Sequence, residues 1–263
     1  MRKPIALAIS LLLVSALAFR SSSASSRIRL RVMSYNIHVG VGMDKQLDLQ
    51  RIADVINEQR PDLVGLQEVD RGVKRTQGID EIAELARLTK MEFAFAHNLD
   101  YQGGQYGVAI LSRFPILKTD HRMYENKREA ERRGMIRTEV KVGTSTVSFV
   151  TTHLDYQYED GRVFEAQQML EFLKPQAGPM ILVGDFNVEP TGESYQLVSK
   201  QFRDVWLETK AKEAGLSYPA DKPVKRIDYI LFRPKEGVKA RKAWTVNTLA
   251  SDHLPVVAEL ELK

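Results

Sequence analysis

Short apolar runs alternate with amphipathic segments of helical length along most of the chain. Residues 29–36 alternate polar and apolar side chains, which is typical of a half-buried strand. Residues 63–66 form a short apolar run that passes directly into Gln67 and Glu68. Runs of the same character predict further strands at residues 93–96, 108–111, 135–142, 147–151, 180–183, 227–232 and 256–260.

The clearest helix signal follows the first strand. Asp48 is a favourable N-cap residue, and Leu49, Ile52 and Ile56 lie on one face of the helix that it would begin. Pro61 predicts the end of that helix, because proline cannot continue a helical hydrogen-bond pattern. A second amphipathic helix is predicted over residues 79–88, and a further helix over residues 160–173 ends before Pro175.

The order of these elements favours mixed or antiparallel sheets over a purely parallel sheet. Strands outnumber helices, and the strand over residues 135–142 is joined to the next one by a short turn. No repeat, linker or low-complexity segment divides the chain after the N-terminal region. We therefore predict one α/β domain over residues 25–263.

Residues 1–24 have the layout of a secretory signal peptide. Arg2 and Lys3 precede an apolar stretch over residues 4–19, and a run of small polar residues follows. The alternative is an uncleaved membrane anchor, but the apolar stretch is shorter than the roughly 20 residues that a spanning helix needs. We therefore expect a cleaved leader and a protein that is secreted or periplasmic.

Composition and charge exclude several classes of protein and of catalytic chemistry. With 43% hydrophobic and 27% charged residues, the chain is neither collagen-like, low-complexity nor a multi-pass membrane protein. The formal net charge is +4, and loss of Arg2, Lys3 and Arg20 with the leader reduces it to +1, which gives no strong electrostatic case for nucleic acid. The absence of cysteine excludes a disulfide framework and thiol catalysis.

Polar side chains with catalytic or metal-binding chemistry recur where the predicted strands end or begin. They are Asn36, Glu68, His153, Asp185, Asn187, Asp228, Asp252 and His253. Each alone is explained as a turn or cap residue, but their number against apolar strands indicates a shared site. Without cysteine, oxygen ligands such as Glu68 and Asp252 suit Mg²⁺ or Mn²⁺ better than zinc. A hard metal ion, an activated water and neutral donors are what phosphate-ester hydrolysis requires.

Six segments occur in the order in which they stand in one known family. They are YNIH (35–38), LQEVD (66–70), THLD (152–155), GDFN (184–187), RIDYI (226–230) and SDHLPV (251–256). This series resembles the endonuclease/exonuclease/phosphatase superfamily over residues 30–260. The resemblance implies a four-layer α/β sandwich, in which two mainly antiparallel sheets pack face to face with helices outside.

The resemblance also implies a role for each strand-end residue. Glu68 would be the main Mg²⁺ (or Mn²⁺) ligand, with Asn36 beside it and Asp252 completing the metal shell. Asp185 and Asn187 would orient the nucleophilic water and a phosphoryl oxygen. His253 would pair with Asp228 as general base or phosphate stabiliser, and His153 would bind the scissile phosphate. The resemblance thus implies the metal ligands Glu68, Asn36 and Asp252 and the catalytic residues His253, Asp185, Asn187, His153 and Asp228.

The predicted activity is hydrolysis of a phosphodiester, with water attacking a phosphate ester of a nucleic acid or of a phospholipid head group or small diester. A phosphomonoesterase of the inositol-phosphatase kind is the next alternative, and a non-catalytic binding protein on the same scaffold is the least favoured. No stable protein partner is expected, so we predict a monomer.

Three further features have a structural and a functional interpretation. The basic residues Lys127, Arg128, Arg132 and Arg133 are interleaved with glutamates and are interpreted as a solvated segment rather than a phosphate contact. Arg137 lies on a predicted strand and forms either a structural ion pair or a substrate contact. Four tyrosines flank predicted strand ends, and each could either pack within its loop or stack on a bound ligand. They are Tyr101, Tyr106, Tyr156 and Tyr158.

Overall fold

The computed structural model of the protein describes residues 28–234 and 237–262, so the predicted leader lies outside the described residues. The strands are β1 Ile28–Asn36, β2 Leu63–Arg71, β3 Glu92–Tyr101, β4 Gly104–Ser112, β5 Ile116–Met123, β6 Gly134–Val142, β7 Ser145–His153, β8 Met180–Asp185, β9 Arg203–Asp204, β10 Asp228–Phe232, β11 Val238–Thr245 and β12 Val256–Leu262. The helices are α1 Leu49–Gln59, α2 Glu81–Thr89, α3 Glu159–Leu173, α4 Glu193–Ser199 and α5 Val205–Glu208.

The strands form two six-stranded sheets. The first has the order β11-β12-β1-β2-β4-β3, and the second has the order β5-β6-β7-β8-β10-β9. Each sheet contains one parallel pair, β1 with β2 and β7 with β8, while its other neighbours are antiparallel. The predicted pair of mainly antiparallel sheets is therefore confirmed.

Three hydrophobic layers hold the sandwich together. Side chains such as Ile110 and Phe149 fill the space between the sheets. Ile52 of α1 packs with the outer face of the first sheet, and Met169 of α3 packs with the outer face of the second. Two sheets covered on both outer faces by helices make four layers, as the sequence resemblance implies.

The first predicted helix has the expected ends. The Asp48 carboxylate accepts a hydrogen bond from the Arg51 backbone N–H at 3.2 Å, and Arg60 ends α1 in the left-handed conformation immediately before Pro61. Such a cap satisfies an N–H that has no partner inside the helix. Within the described residues, no helix is long and apolar enough to cross a membrane.

Two long strands were not predicted, β5 and β11. Both are edge strands of their sheets, and most of their side chains are exposed or half-buried and many are charged. Charged edge strands lack the alternating apolar pattern and discourage pairing with other chains, so sequence periodicity misses them. The prediction also ended β2 at residue 66, whereas the strand continues to Arg71.

Candidate active site

The polar residues at the strand ends lie together along one edge of the sandwich. In the second sheet, Gly134, His153, Asp185 and Asp228 are lateral neighbours across β6, β7, β8 and β10. Because β7 and β8 are parallel and their neighbours run antiparallel, carboxyl ends and amino ends of these strands meet at the same edge. Strand register therefore brings His153, Asp185 and Asp228 into one row.

The first sheet contributes a facing row from its own strand ends. Asn36 is the last residue of β1, Asp252 and His253 lie in the loop just before β12, and Glu68 lies near the end of β2. The β2–β4 register shifts between Leu66 and Val69, and Glu68 has a positive φ of 56° inside this irregularity. A bulge re-aims the side chain at its position. The predicted metal carboxylate is thus turned toward the site from within a strand.

All eight predicted site residues come together around one cavity of about 830 Å³. Glu68, His153, Asp185, Asn187, Asp252 and His253 line it. Asn36 and Asp228 lie directly behind this lining, where they hydrogen-bond to Glu68 and His253 respectively. The cavity size suits a small molecule or a part of a larger one.

Asp228, His253 and Asp185 form a buried charge network. The Nδ1 atom of His253 lies 2.9 Å from Oδ2 of Asp228, and its Nε2 lies 3.7 Å from Oδ2 of Asp185. Burial by itself lowers the pKa of His253, but the Asp228 and Asp185 carboxylates more than offset it, so the pKa is raised to about 10. Burial and the nearby Asp228 raise the pKa of Asp185. The imidazole is therefore a cation at neutral pH.

Asn36 links the two carboxylates that face each other across the site. Its Nδ2 atom donates to Oε1 of Glu68 at 3.0 Å and to Oδ2 of Asp185 at 3.1 Å, and its Oδ1 accepts from the His38 backbone N–H. The Asp185 carboxylate also accepts from the Asn187 backbone N–H at 2.8 Å. These bonds fix the orientation of the groups that the sequence resemblance assigns to metal and water.

Side-chain N–H groups of Arg133 and Asn187 and the carboxylate of Asp185 surround the His153 ring. The Nη1 atom of Arg133 lies 2.7 Å from Nδ1 of His153, and Nδ2 of Asn187 lies 3.0 Å from its Nε2. Burial, Arg133 and the His253 cation lower the pKa of His153 well below its usual range. The ring is therefore neutral, and the positive charge beside it belongs to Arg133.

The interpretation of the basic segment is wrong for Arg133. Lys127, Arg128 and Arg132 are exposed, as expected, but Arg133 is only 3% exposed and lines the cavity. Its Nε atom is buried without a hydrogen-bond partner. The sequence contained one signal for this, because Arg133 stands just before a strand, and Asp252 and His253 also stand a few residues before one.

The structure also shows where Arg137 and the four tyrosines lie relative to the cavity. Arg137 is 1% exposed and forms ion pairs with Asp120 and, at 3.1 Å, Glu139, so it is a structural ion pair away from the cavity. Tyr101, Tyr106 and Tyr156 line the cavity, whereas Tyr158 packs under Arg128 with 4.4 Å between guanidinium and ring centre. Tyr218, which sequence reasoning missed, lies 4.8 Å from the His253 ring.

The donor set suits a hard divalent ion. Asp185, Asp228 and His253 place ligand atoms within 4.8 Å of one another. Because His253 is protonated and held by Asp228, this trio is better described as a charge network than as a metal shell. Glu68 and Asp252 instead offer carboxylate oxygen atoms at the cavity, which is the chemistry that Mg²⁺ or Mn²⁺ prefers, and Asn36 orients Glu68 from behind the lining.

Comparison with known proteins agrees with this geometry. A sequence model of the Endonuclease/Exonuclease/phosphatase family matches residues 33–253. The uncharacterized protein YbhP of Escherichia coli strain K12 is 25% identical over 237 residues, which is 83% of this chain and 90% of YbhP.

Two solved structures illustrate the similarity of fold. A conserved protein of unknown function from Enterococcus faecalis V583 has a TM-score of 0.76 and 22% identity, covering 89% of this chain and 100% of its own. The mannosyl-6-phosphatase of Bacteroides thetaiotaomicron VPI-5482 has a TM-score of 0.73 and 20% identity, covering 88% of this chain and 99% of its own.

Proposed function

The chain belongs to the endonuclease/exonuclease/phosphatase family, and from that premise we propose that it is a Mg²⁺- or Mn²⁺-dependent phosphodiester hydrolase. Phosphoester hydrolysis is the activity of the family, while the bond type and the metal are our proposal. The observation that carries it is the single cavity where Glu68, His153, Asp185 and His253 converge. A carboxylate for the metal, a base for the water and fixed donors for the phosphate are all present.

We assign the proton-accepting role to Asp185. Its Oδ1 is held by the Asn187 backbone N–H, and its Oδ2 faces both catalytic imidazoles. Burial raises the pKa of this carboxyl group, which makes it a stronger base than an exposed aspartate. His253 is held as a cation by Asp228 and stabilises negative charge that develops on the phosphate.

The phosphate oxygens would be bound by the side chains around His153. Arg133 contributes a fixed cation, and the neutral His153 and the Asn187 amide contribute neutral donors. Glu68, Asn36 and Asp252 would hold the metal ion, which when bound supplies Lewis-acid polarisation of a phosphate oxygen. The substrate would be a phosphate ester of a nucleic acid or a phospholipid head group, and the protein would act as a monomer.

A phosphomonoesterase is the second candidate, and Arg133 favours it. A terminal phosphate carries more negative charge than a diester, so an additional buried cation beside His153 benefits it more. The mannosyl-6-phosphatase with the same fold acts on a monoester by its name.

The test uses residues 25–263 with Mg²⁺ or Mn²⁺ and follows nitrophenol release from bis(p-nitrophenyl) phosphate and p-nitrophenyl phosphate. A diesterase hydrolyses the first faster, loses activity with EDTA and regains it with metal. A faster reaction on the second ester supports the monoesterase. Tyr158→Phe serves as a control outside the cavity, and activity that persists in excess EDTA contradicts metal dependence.

Export is a further part of the proposal, supported by the charged, apolar and small-residue order of residues 1–24. Expression of the full chain in a bacterial host followed by N-terminal sequencing of the periplasmic and extracellular fractions tests it. A full-length chain confined to the cytoplasm contradicts export.

A further inference from the structure

A second, much smaller cavity lies outside the active site, beneath the segment that joins β5 to β6. Its volume is about 10 Å³, which is room for one water molecule or one ion. Asn126 of the joining segment, Asp155 after β7, and Gly161 and Glu165 of α3 contribute to its lining. Three separate parts of the chain therefore meet around a space of atomic size.

Two buried carboxylates line this cavity. Asp155 is 5% exposed and Glu165 is 3% exposed. Oδ1 of Asp155 accepts from the Gln157 backbone N–H at 2.6 Å, and Oε2 of Glu165 accepts from the Asp155 backbone N–H at 2.7 Å. Among the described residues, no donor bonds to the second oxygen of either group. Buried carboxylate oxygens need a partner, and the cavity is where a partner would meet them.

The negative charges of these two side chains oppose each other. Burial raises the pKa of Glu165 to about 7, and the Asp155 carboxylate adds to this rise. The hydrogen bond from the Asp155 N–H and the guanidinium groups of Arg133 and Arg162 lower the pKa, but they do not cancel the rise. A cation between the two carboxylates would offset both the burial and the repulsion.

The basic residues beside the cavity are held by other side chains. Lys127 and Arg128 also line it. However, Nζ of Lys127 lies 5.2 Å from the centre of the Phe164 ring, and the Arg128 guanidinium pairs with Asp160 and covers the Tyr158 ring at 4.4 Å. In the part of the chain that the structure describes, no lysine or arginine side chain forms an ion pair with either buried carboxylate. The lining therefore has room for a cation from solution.

Gly161 keeps the cavity open. It lies inside α3, where glycine is about 1 kcal/mol less favourable than alanine. A Cβ atom at this position would lie 2.9 Å from Oδ2 of Asp155. The carboxylate cannot turn away freely, because its Oδ1 is bonded to the Gln157 N–H. A residue that is unfavourable for the helix thus leaves space beside the unbonded oxygen.

We propose that this cavity binds a Ca²⁺ ion, with Oδ2 of Asp155 and Oε1 of Glu165 as charged ligands and Oδ1 of Asn126 as a neutral one. The Asn126 amide group donates its N–H to the Ala130 carbonyl at 2.9 Å, which leaves its oxygen for the ion. Oxygen ligands from three separate segments suit the flexible coordination of Ca²⁺ better than the strict octahedron of Mg²⁺.

The ion would join the β5–β6 segment to α3 and to the end of β7. Arg133 is the last residue of that segment, and His153 is the last residue of β7, two positions before Asp155. The ion would therefore brace the side of the active site that carries these two residues. It is separate from the catalytic metal proposed at Glu68, which lines the other cavity.

The first experiment follows the unfolding temperature of the purified, metal-free protein as Ca²⁺ is added. We expect about 2 mM Ca²⁺ to raise this temperature by about 3 °C or more, because an ion that binds only the folded state stabilises it. Calorimetric titration measures the affinity and the number of ions bound. Circular dichroism in excess EDTA checks that each variant is folded before Ca²⁺ is added.

Two variants change the site in different ways. Glu165→Gln keeps an acceptor for the Asp155 N–H but removes one charge, and Gly161→Ala fills the space without removing a ligand. Each should lower the Ca²⁺ affinity of the site by about tenfold or more and lose most of the rise in unfolding temperature. Glu171→Gln, on the same helix with a side chain that is 77% exposed, should retain both.

The second experiment locates the effect in the chain. Trypsin cleaves after Lys127, Arg128 and Arg132, which are exposed residues of the segment above the cavity. Ca²⁺ should slow cleavage at these sites in the parent protein by about fivefold or more, with mass spectrometry identifying the fragments. Glu165→Gln should gain no such protection. Its digestion at the same Ca²⁺ concentration also controls for any effect of Ca²⁺ on trypsin.

Two results would overturn the proposal. One is a parent protein that gains neither stability nor protection from Ca²⁺, in which case the cavity holds only water. The other is a gain that Glu165→Gln and Gly161→Ala both retain, because the ion then binds elsewhere, such as at Glu68. Neither experiment measures hydrolysis, so its outcome is independent of the proposed function.

Discussion

The Nδ1 atom of His253 lies 2.9 Å from Oδ2 of Asp228, and this pair joins the two sheets at the centre of the site. His253 lies in the loop just before β12 of the first sheet, whereas Asp228 begins β10 of the second. The carboxylate holds the ring and its positive charge in place, so that Nε2 faces Asp185. Activity should therefore depend on both partners.

Removal of either partner should slow the chemical step. We expect His253→Ala and Asp228→Asn each to lower kcat by about 100-fold or more, the usual scale for a positioned acid–base group. Both variants are measured on the preferred nitrophenyl ester, with thermal unfolding as a check on the fold. Asp160→Asn, an exposed aspartate paired with Arg128, is the matched control. A near-normal kcat in Asp228→Asn would show that the pair is only structural.

Glu68 should govern the metal requirement. Glu68→Gln keeps the side-chain shape and its neighbour Asn36 but removes the negative charge that attracts a cation. We expect the Mn²⁺ concentration for half-maximal activity to rise about tenfold or more, and direct Mn²⁺ binding followed by electron paramagnetic resonance to weaken in parallel. Glu58→Gln, an exposed residue of α1, is the control. Unaltered Mn²⁺ binding by Glu68→Gln would assign the metal to other residues.

Arg137 should matter for stability and not for catalysis. It is 1% exposed and paired with Asp120 and Glu139. Its carboxylate partners are 26% and 31% exposed, so water screens the charge that they keep, and Arg137→Ala should lower the free energy of unfolding by about 1–3 kcal/mol through lost hydrogen bonds and packing. Urea denaturation measures this change, with exposed Arg122→Ala as control. A stable Arg137→Ala protein without activity would make Arg137 a substrate contact instead.

Glu81 should make stability depend on pH. Burial raises the pKa of Glu81 to about 8, while the hydrogen bond from the Asp70 backbone N–H lowers it less strongly. A raised carboxyl pKa in the folded state means that the stabilisation is complete below about pH 4.5 and is lost as the pH rises toward 8. Each unit of pKa difference is worth about 1.4 kcal/mol.

The Glu81→Gln variant isolates this contribution. The free energy of unfolding of the parent protein should fall between pH 5 and pH 8, and Glu81→Gln should flatten that slope. Glu171→Gln, at a highly exposed glutamate, should retain the parent slope. Equal slopes in Glu81→Gln and the parent protein would show that Glu81 is charged in the folded state across this range.

The sequence predicted the elements whose pattern is local. Helix α1 has a cap at one end and a proline after the other, and the apolar strands β7 and β8 bury nearly all their side chains. Polar residues at the ends of such strands contrast with the apolar residues before them, and this local contrast identified Asp185 and His153. Edge strands such as β5 carry no such signal, because one side of the strand has no neighbour and its side chains face water.

Tertiary structure alone decided which groups act on one another. Asn36 and Asp185 are 149 positions apart in the chain, yet an amide of one donates to a carboxylate of the other at 3.1 Å. Arg133 became a buried cation because the strand register across β6 and β7 sets its segment beside His153. The sequence by itself predicted the elements with a local pattern and the chemical groups of the site, and the resemblance of its six ordered segments predicted the fold family. Charge state and pairing followed from the packing of two sheets, since burial and distance set electrostatic energies.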